Sequence, residues 1–273
     1  MNNKLWPAVY SVVPELVDGC QMSCALCWNS KRHGSMENMS IETIKEIIKK
    51  HGHVLSCWYN WGEPLLHKQF AEASTLISAT AMSFISTNLS LYLSDEYLNS
   101  LLKYTRVYVS LSGITKDIYA IYNKDGNFDL VFYNLDRLIQ TKINNNSSTS
   151  IILRFERHKF NEHQYETILN FCKTKNILFE PIYLNCEVED LMIGFDHDLL
   201  RKPVFNSSVN ACGLLNEFPI GVDGTYLLCC ASHNVKTTLT VYDDVSMEDV
   251  LAARKKLSIC EECRELNLFK AFY

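Results

Sequence analysis

The chain has 273 residues, 47% of them hydrophobic, and a formal net charge of -5, which fits one large domain or one domain with a small appendage. No segment reaches the apolar length of a membrane span, and the start Met1-Asn2-Asn3-Lys4-Leu5-Trp6-Pro7 lacks a signal-peptide apolar region. With no basic block to meet nucleic acid either, the expectation is a cytoplasmic protein that binds neither membrane nor nucleic acid.

Val9–Val13 with Glu15, Leu16 and Val17 reads as a first strand region. Ser40 then reads as the N-cap of a helix with Glu42 in its first turn and an apolar stripe of Ile41, Ile44, Ile47 and Ile48. A second strand over Ser56–Trp61 ends at Gly62-Glu63-Pro64. A helix over 70–79 leads to the strand Met82–Ser86, and a short helix over Asp95–Leu102 to the strand Arg106–Leu111. Phe128, Val131, Phe132, Leu135, Leu138 and Ile139 mark one face of the next helix. Asn144–Ser150 reads as a polar loop, and Ile151–Phe155 as a fifth strand. Asn161 is expected to cap a helix facing inward with Tyr165, Ile168, Leu169 and Cys172, and Phe179–Leu184 closes the series. Six strand-helix units predict an α/β fold with a parallel sheet and functional residues at the C-terminal strand ends.

From Cys186 the alternation stops. The expected division is a barrel over 1–186, a linker over 187–211 and a small unit over 212–273. Within that unit Pro219–Leu228 reads as a hairpin with an Asp223-Gly224 turn. A helix starting at Ser246 follows, with Asp249 completing a capping-box-like pair.

Eleven cysteines in a reducing compartment point to metal or cluster ligation rather than disulfides. The densest group is Cys20-Gln21-Met22-Ser23-Cys24-Ala25-Leu26-Cys27, after the first strand. Structural zinc takes four ligands in paired short spacings, so three thiols with no fourth nearby fit it poorly. Three thiolates on a cubane iron-sulfur cluster instead leave one iron without a protein ligand. The second group is Cys212, Cys229, Cys260 and Cys263, with Gly224 five residues before Cys229 and Cys230 directly after it. Taken alone, these four thiols suit either zinc or a cubane cluster. Cys57, Cys172 and Cys186 read as small apolar residues. His67 reads as a surface or substrate-facing residue, and His51 and His53 as loop residues. Lys31-Arg32-His33 and Asp196-His197-Asp198 read as solvated segments.

The Cys20/Cys24/Cys27 loop resembles the cluster-binding loop of the radical S-adenosylmethionine (SAM) enzymes. Leu26 stands where that family usually carries an aromatic residue, and Trp28 follows it. Gly62-Glu63-Pro64 matches the family's Gly-Glu-Pro variant of its SAM motif. The resemblance implies a partial (β/α)6 barrel with a 4Fe-4S cluster on Cys20, Cys24 and Cys27 and SAM chelated on its open iron. It implies that backbone at Trp61, Gly62, Glu63 and Pro64 receives the methionyl ammonium, and that Asn88, Ser110 and Ser112 contact SAM. Ser112 replaces the family's Asp in a Ser-x-Asp pair. Arg154 shares a strand face with Glu156, either as a structural Arg-Glu pair or, as favoured here, to hold the SAM carboxylate through paired donors.

The C-terminal pattern resembles the twitch domain, the truncated form of the SPASM domain, which implies an auxiliary 4Fe-4S cluster on Cys212, Cys229, Cys260 and Cys263. The implied activity is reductive cleavage of SAM to a 5'-deoxyadenosyl radical, driven by a flavodoxin- or ferredoxin-type reductant, and hydrogen abstraction from substrate. A small polar metabolite such as an amino sugar, cyclitol or nucleotide is the expected substrate, oxidised with the auxiliary cluster as electron acceptor. One relative, an aminocyclitol dehydrogenase, carries an acid two positions after the cysteine matching Cys229, where this chain has Ala231. The alternatives are modification of a ribosomal peptide or protein and, remotely, a non-catalytic Fe-S or zinc module.

Overall fold

The computed structural model describes residues 10–27, 35–59, 61–183, 217–229 and 232–254. The first two thirds alternate as expected, in the order β1 (Ser11–Pro14), α1 (Ile41–His51), β2 (Leu55–Cys57), α2 (Phe70–Ile77), β3 (Met82–Thr87) and α3 (Asp95–Leu101). There follow β4 (Arg106–Leu111), α4 (Lys116–Tyr122), α5 (Phe128–Asn144), β5 (Ser150–Arg157), α6 (Tyr165–Lys175) and β6 (Leu178–Tyr183). The chain then adds β7 (Glu217–Ile220), β8 (Thr225–Cys229), β9 (Ser232–Thr240) and α7 (Met247–Arg254). All nine strands form one sheet in the order β6-β5-β4-β3-β2-β1-β7-β8-β9. The strands β1 to β6 pair in parallel, as in a partial barrel.

Register sorts the side chains by face. Val107, Val109 and Leu111 of β4 lie beside Ile151, Leu153 and Phe155 of β5 and pack under the helices. The opposite, concave face has an apolar floor of Phe84, Tyr108 and Ile152, packed by Leu55, Cys57 and Tyr59. Toward the C-terminal strand ends that face turns polar, with Ser86, Ser110 and Arg154 in adjacent strands.

Local chemistry explains most boundaries. Ser40 caps α1 by accepting the Thr43 amide at 3.0 Å, and Ile41, Ile44 and Ile47 are buried as the stripe requires. The capping box forms at α7: Ser246 N donates to Asp249 Oδ2 at 2.7 Å and Asp249 N to Ser246 Oγ at 3.2 Å. Gly224 turns the β7–β8 hairpin at φ +82°, where a side chain is strained.

Four expectations change. The second strand is regular only over Leu55–Cys57, because the chain then turns toward Gly62. Thr149, in the expected polar loop, is buried and donates to the carbonyls of Leu102 and Tyr104, both at 2.8 Å. Asn161 makes no cap; its Nδ2 donates to the carbonyls of Ser112 (2.8 Å) and Glu156 (2.7 Å), tying the ends of β4 and β5 together. His51 lies in the last turn of α1, fully buried, with Tyr10 OH 3.2 Å from Nδ1 and Tyr226 OH 2.8 Å from Nε2.

The hairpin continues the barrel sheet. Strand β7 pairs in parallel with β1 from Ser11↔Glu217 to Pro14↔Ile220. Phe218, Ile220, Tyr226, Val241 and Val250 belong to the same core cluster as the barrel helices. The expected linker, Cys186, and the Lys31–His33 and Asp196–Asp198 segments lie outside the described residues.

Candidate functional site

The thiol loop leaves the C-terminal end of β1 and is held from two sides. Toward α4, Ser23 N donates to Lys124 O at 3.0 Å and Ala25 N to Tyr122 O at 2.9 Å. Leu26 fills a buried pocket with Tyr122 and Phe160. A turn inside the loop, Cys27 N to Cys24 O at 3.1 Å, folds the last two thiols back on each other. Trp28 lies outside the described residues.

Toward β2, the loop meets the Gly62-Glu63-Pro64 turn directly. Glu63 N donates to Gly19 O at 2.8 Å. A Cβ on Gly62 would lie 1.7 Å from Val17 O, so the glycine is needed for this close approach of two loops. Glu15, 1% exposed, closes the junction: its Oε1 accepts Trp61 N at 3.1 Å and Gly62 N at 2.9 Å. By sequence Glu15 is one more residue of the first strand region, and nothing in its neighbours marks it as the acceptor that shapes this turn.

The carboxylate of Glu63 faces inward. Oε1 accepts Thr87 Oγ1 at 2.7 Å and Leu65 N at 3.1 Å, and Oε2 accepts Asn88 N at 2.8 Å. Burial pushes its pKa up to about 7. Its contacts bind the end of β3 to the short 3-10 turn Pro64–Leu66. His67 is likewise buried, bridging Met39 O (2.7 Å) and Gln69 N (3.1 Å), and so is held inside the fold rather than on the surface.

N–H donors reach the sulfurs of Cys20 and Cys24. Cys20 Sγ accepts Met22 N at 3.4 Å and Asn88 Nδ2 at 3.5 Å, and Cys24 Sγ accepts Asn123 Nδ2 at 3.7 Å. Ser112, buried, donates its hydroxyl to Asn123 Oδ1. Asn123 escapes a sequence reading because the seven-residue helix before it carries no full apolar stripe.

Ser110 lies on the concave face with its Oγ 3.3 Å from Ser86 Oγ. Arg154 pairs with Glu180 of β6 (Nε to Oε2, 3.1 Å) rather than with Glu156. It also donates to Tyr59 OH at 3.3 Å, and its guanidinium lies 4.0 Å from the Tyr108 ring centre. Glu156 is bonded by Tyr122, and burial pushes both pKa values up.

Burial pushes the Cys20 thiol up to about 12, with smaller contributions from Glu63 and Cys27. The Cys24 thiol also rises well above its ordinary value, through burial first and then through Cys27 and Cys20. Three crowded thiols disfavour one another's anions, and a positively charged inorganic core that binds all three relieves that. Among the described residues no three His, Cys, Asp or Glu side chains converge on a single-ion site. A cubane cluster places its ligands on different irons, and three thiols carried by one loop fit that donor set.

In the second cysteine group, Cys229 ends β8. Cys212, Cys230, Cys260 and Cys263 lie outside the described residues. Among the described residues no helix is long and apolar enough to cross a membrane.

The model of the Radical SAM superfamily matches residues 15–172 of this chain. Several solved structures share its fold. The anSMEcpe structure with bound AdoMet and Cp18Cys peptide is 16% identical, with a TM-score of 0.59, covering 95% of this chain and 87% of that one. The BtrN complex with AdoMet and 2-DOIA is 14% identical, with a TM-score of 0.54 and coverage of 97% and 92%. SuiB of Streptococcus suis is 13% identical, with a TM-score of 0.53 and coverage of 93% and 70%. A search of curated protein sequences finds no significant match.

Proposed function

Because the chain belongs to the radical SAM superfamily, we propose that it is an enzyme holding a 4Fe-4S cluster on Cys20, Cys24 and Cys27 and using SAM to oxidise a small polar metabolite. The observation that carries this reading is the junction of thiol loop and Gly62-Glu63-Pro64 turn, with amide donors on the sulfurs of Cys20 and Cys24. When bound, the cluster and SAM supply a 5'-deoxyadenosyl radical that abstracts hydrogen from substrate, with methionine as co-product.

The chain's own residues bind and orient. Backbone at Trp61, Gly62 and Pro64 forms the rim beside the thiol loop and receives the methionyl ammonium. Ser110 and Arg154, from the polar end of the concave face, take the ribose and carboxylate side of SAM. Glu63, Asn88 and Ser112 hold that rim and the sulfurs from behind, through the bonds described above. The apolar floor of Phe84, Tyr108 and Ile152 keeps water out of the lower barrel.

Cys212, Cys229, Cys260 and Cys263 are assigned to an auxiliary 4Fe-4S cluster of twitch type, which takes an electron from the substrate radical. A flavodoxin- or ferredoxin-type protein is the assigned reductant. The similar BtrN structure, which holds AdoMet and 2-DOIA, supports the small-molecule reading. A peptide substrate is the second reading, because the similar anSMEcpe structure holds AdoMet and a peptide.

Anaerobic reconstitution with iron and sulfide tests the assignment. We expect about eight irons per chain, about four in a Cys20/Cys24/Cys27→Ala variant, and dithionite-driven release of 5'-deoxyadenosine only from the parent. Zinc in place of iron, or no SAM cleavage by the fully loaded chain, overturns it.

A further inference from the structure

Each of two side-chain amides outside the thiol loop has one end on a cysteine sulfur and the other end locked. Asn88 donates Nδ2 to Cys20 Sγ at 3.5 Å, while its Oδ1 accepts Gln21 Nε2 at 2.9 Å and Ser90 N at 2.8 Å. Asn123 donates Nδ2 to Cys24 Sγ at 3.7 Å, while its Oδ1 accepts the Ser112 hydroxyl. An amide whose oxygen faces a donor has only its NH2 left to offer the sulfur.

Ser112 faces the Asn123 amide oxygen from the side away from Cys24. It is 1% exposed, and its own carbonyl accepts Asn161 Nδ2 at 2.8 Å, so its backbone is anchored where β4 ends. An ionised carboxylate at position 112 is acceptor-only and draws the Asn123 NH2 toward itself, which turns the amide oxygen toward the sulfur. A hydroxyl can donate to the amide oxygen, which is the observed sense.

We propose that Ser112 and Asn123 are a positioning pair that raises the reduction potential of the cluster held by Cys20, Cys24 and Cys27, with Asn88 acting alike at Cys20. The pair acts through the Cys24 sulfur, and it rests on the cluster reading above. An N–H aimed at a ligating thiolate stabilises the more negative, reduced state, and hydrogen bonds to the sulfurs are among the factors that set such potentials.

The test is a dithionite titration of the reconstituted full chain, followed by electron paramagnetic resonance. The Cys20/Cys24/Cys27→Ala variant defines the signal to subtract. Asn123→Ala and Ser112→Ala are expected to shift the midpoint of the remaining signal to more negative potential with iron content unchanged. Ser112→Asp is expected to shift it at least as far, and Ser112→Thr, which keeps the hydroxyl, to restore the parent value. An unmoved midpoint in Ser112→Ala and Asn123→Ala overturns the proposal. Loss of loop iron in both overturns it too, because it marks the pair as plain structural support. Equal iron and equal signal in the parent and the triple cysteine variant removes the cluster reading itself, and this proposal with it.

Discussion

Gly62 shows how much one missing Cβ decides. Its sequence neighbours Glu63 and Pro64 mark a motif, and a ligand approaching the backbone is the natural explanation for the glycine. The structure gives a nearer cause: Val17 O occupies the place of a Cβ, 1.7 Å away. Gly62→Ala should therefore drive the turn off the thiol loop and destabilise the chain by about 3 kcal/mol, as overpacking does. The same variant should bind less iron on reconstitution; full iron with an unchanged denaturation midpoint refutes the account. Glu15 works on the other side of this turn, and Glu15→Ala strands the half-buried amides of Trp61 and Gly62. We expect a loss of about 1–3 kcal/mol per stranded amide, read from urea denaturation. Glu15→Gln keeps one acceptor oxygen and should fall between. The motif glycine was legible in the sequence, but its steric partner 45 positions earlier was not (62 − 17), because nothing local records a contact made by folding.

Helix α1 joins the barrel to the hairpin through its last residue. His51 lies between Tyr10 of the chain before β1 and Tyr226 of β8, and burial, with repulsion from Lys50 and His53, pushes its pKa down to about 3. In the unfolded chain this histidine titrates near 6.5. Between those values the unfolded state carries the extra proton, so stability is full above pH 6.5 and falls as pH falls through that window. The slope is about 1.4 kcal/mol per pH unit, or roughly 2 kcal/mol between pH 6.5 and pH 5. His51→Gln should be less stable at pH 7 yet lose this part of the pH dependence; an undiminished slope in the variant rejects the assignment. The beginning and face of α1 were readable from Ser40 and the isoleucine stripe. His51 read as a loop residue, because nothing in its local sequence shows that Tyr10 and Tyr226 enclose it. Helix α4 and strand β9 were missed outright; α4 presents buried Tyr119 and Tyr122 without a longer stripe, and β9 alternates weakly.

Across the whole molecule, the barrel and the hairpin share one sheet and one core cluster in the described residues. Removing residues from Glu217 onward exposes the β1 edge and strips Phe218, Ile220 and Tyr226 from the core. At about 1.5–3 kcal/mol for each buried side chain, that loss is comparable to the 5–15 kcal/mol stability of a typical domain. We expect the truncated chain to show no cooperative thermal transition by circular dichroism; a sharp transition with four irons retained on the thiol loop makes the hairpin an independent unit. By itself the sequence determined the βα alternation, the α/β class, the thiol loop at a strand end and the Asp-Gly hairpin. Each of these is written in local periodicity or in residues a few positions apart. Tertiary structure alone decided that Glu15 and Gly62 build one junction, that Arg154 pairs with Glu180, that Ser112 bonds to Asn123 beside Cys24, and that β7 lies along β1. Those contacts join residues from 11 (Ser112 to Asn123) to more than two hundred positions apart (Ser11 to Glu217), and chain closure over such spans leaves no periodic trace in the sequence.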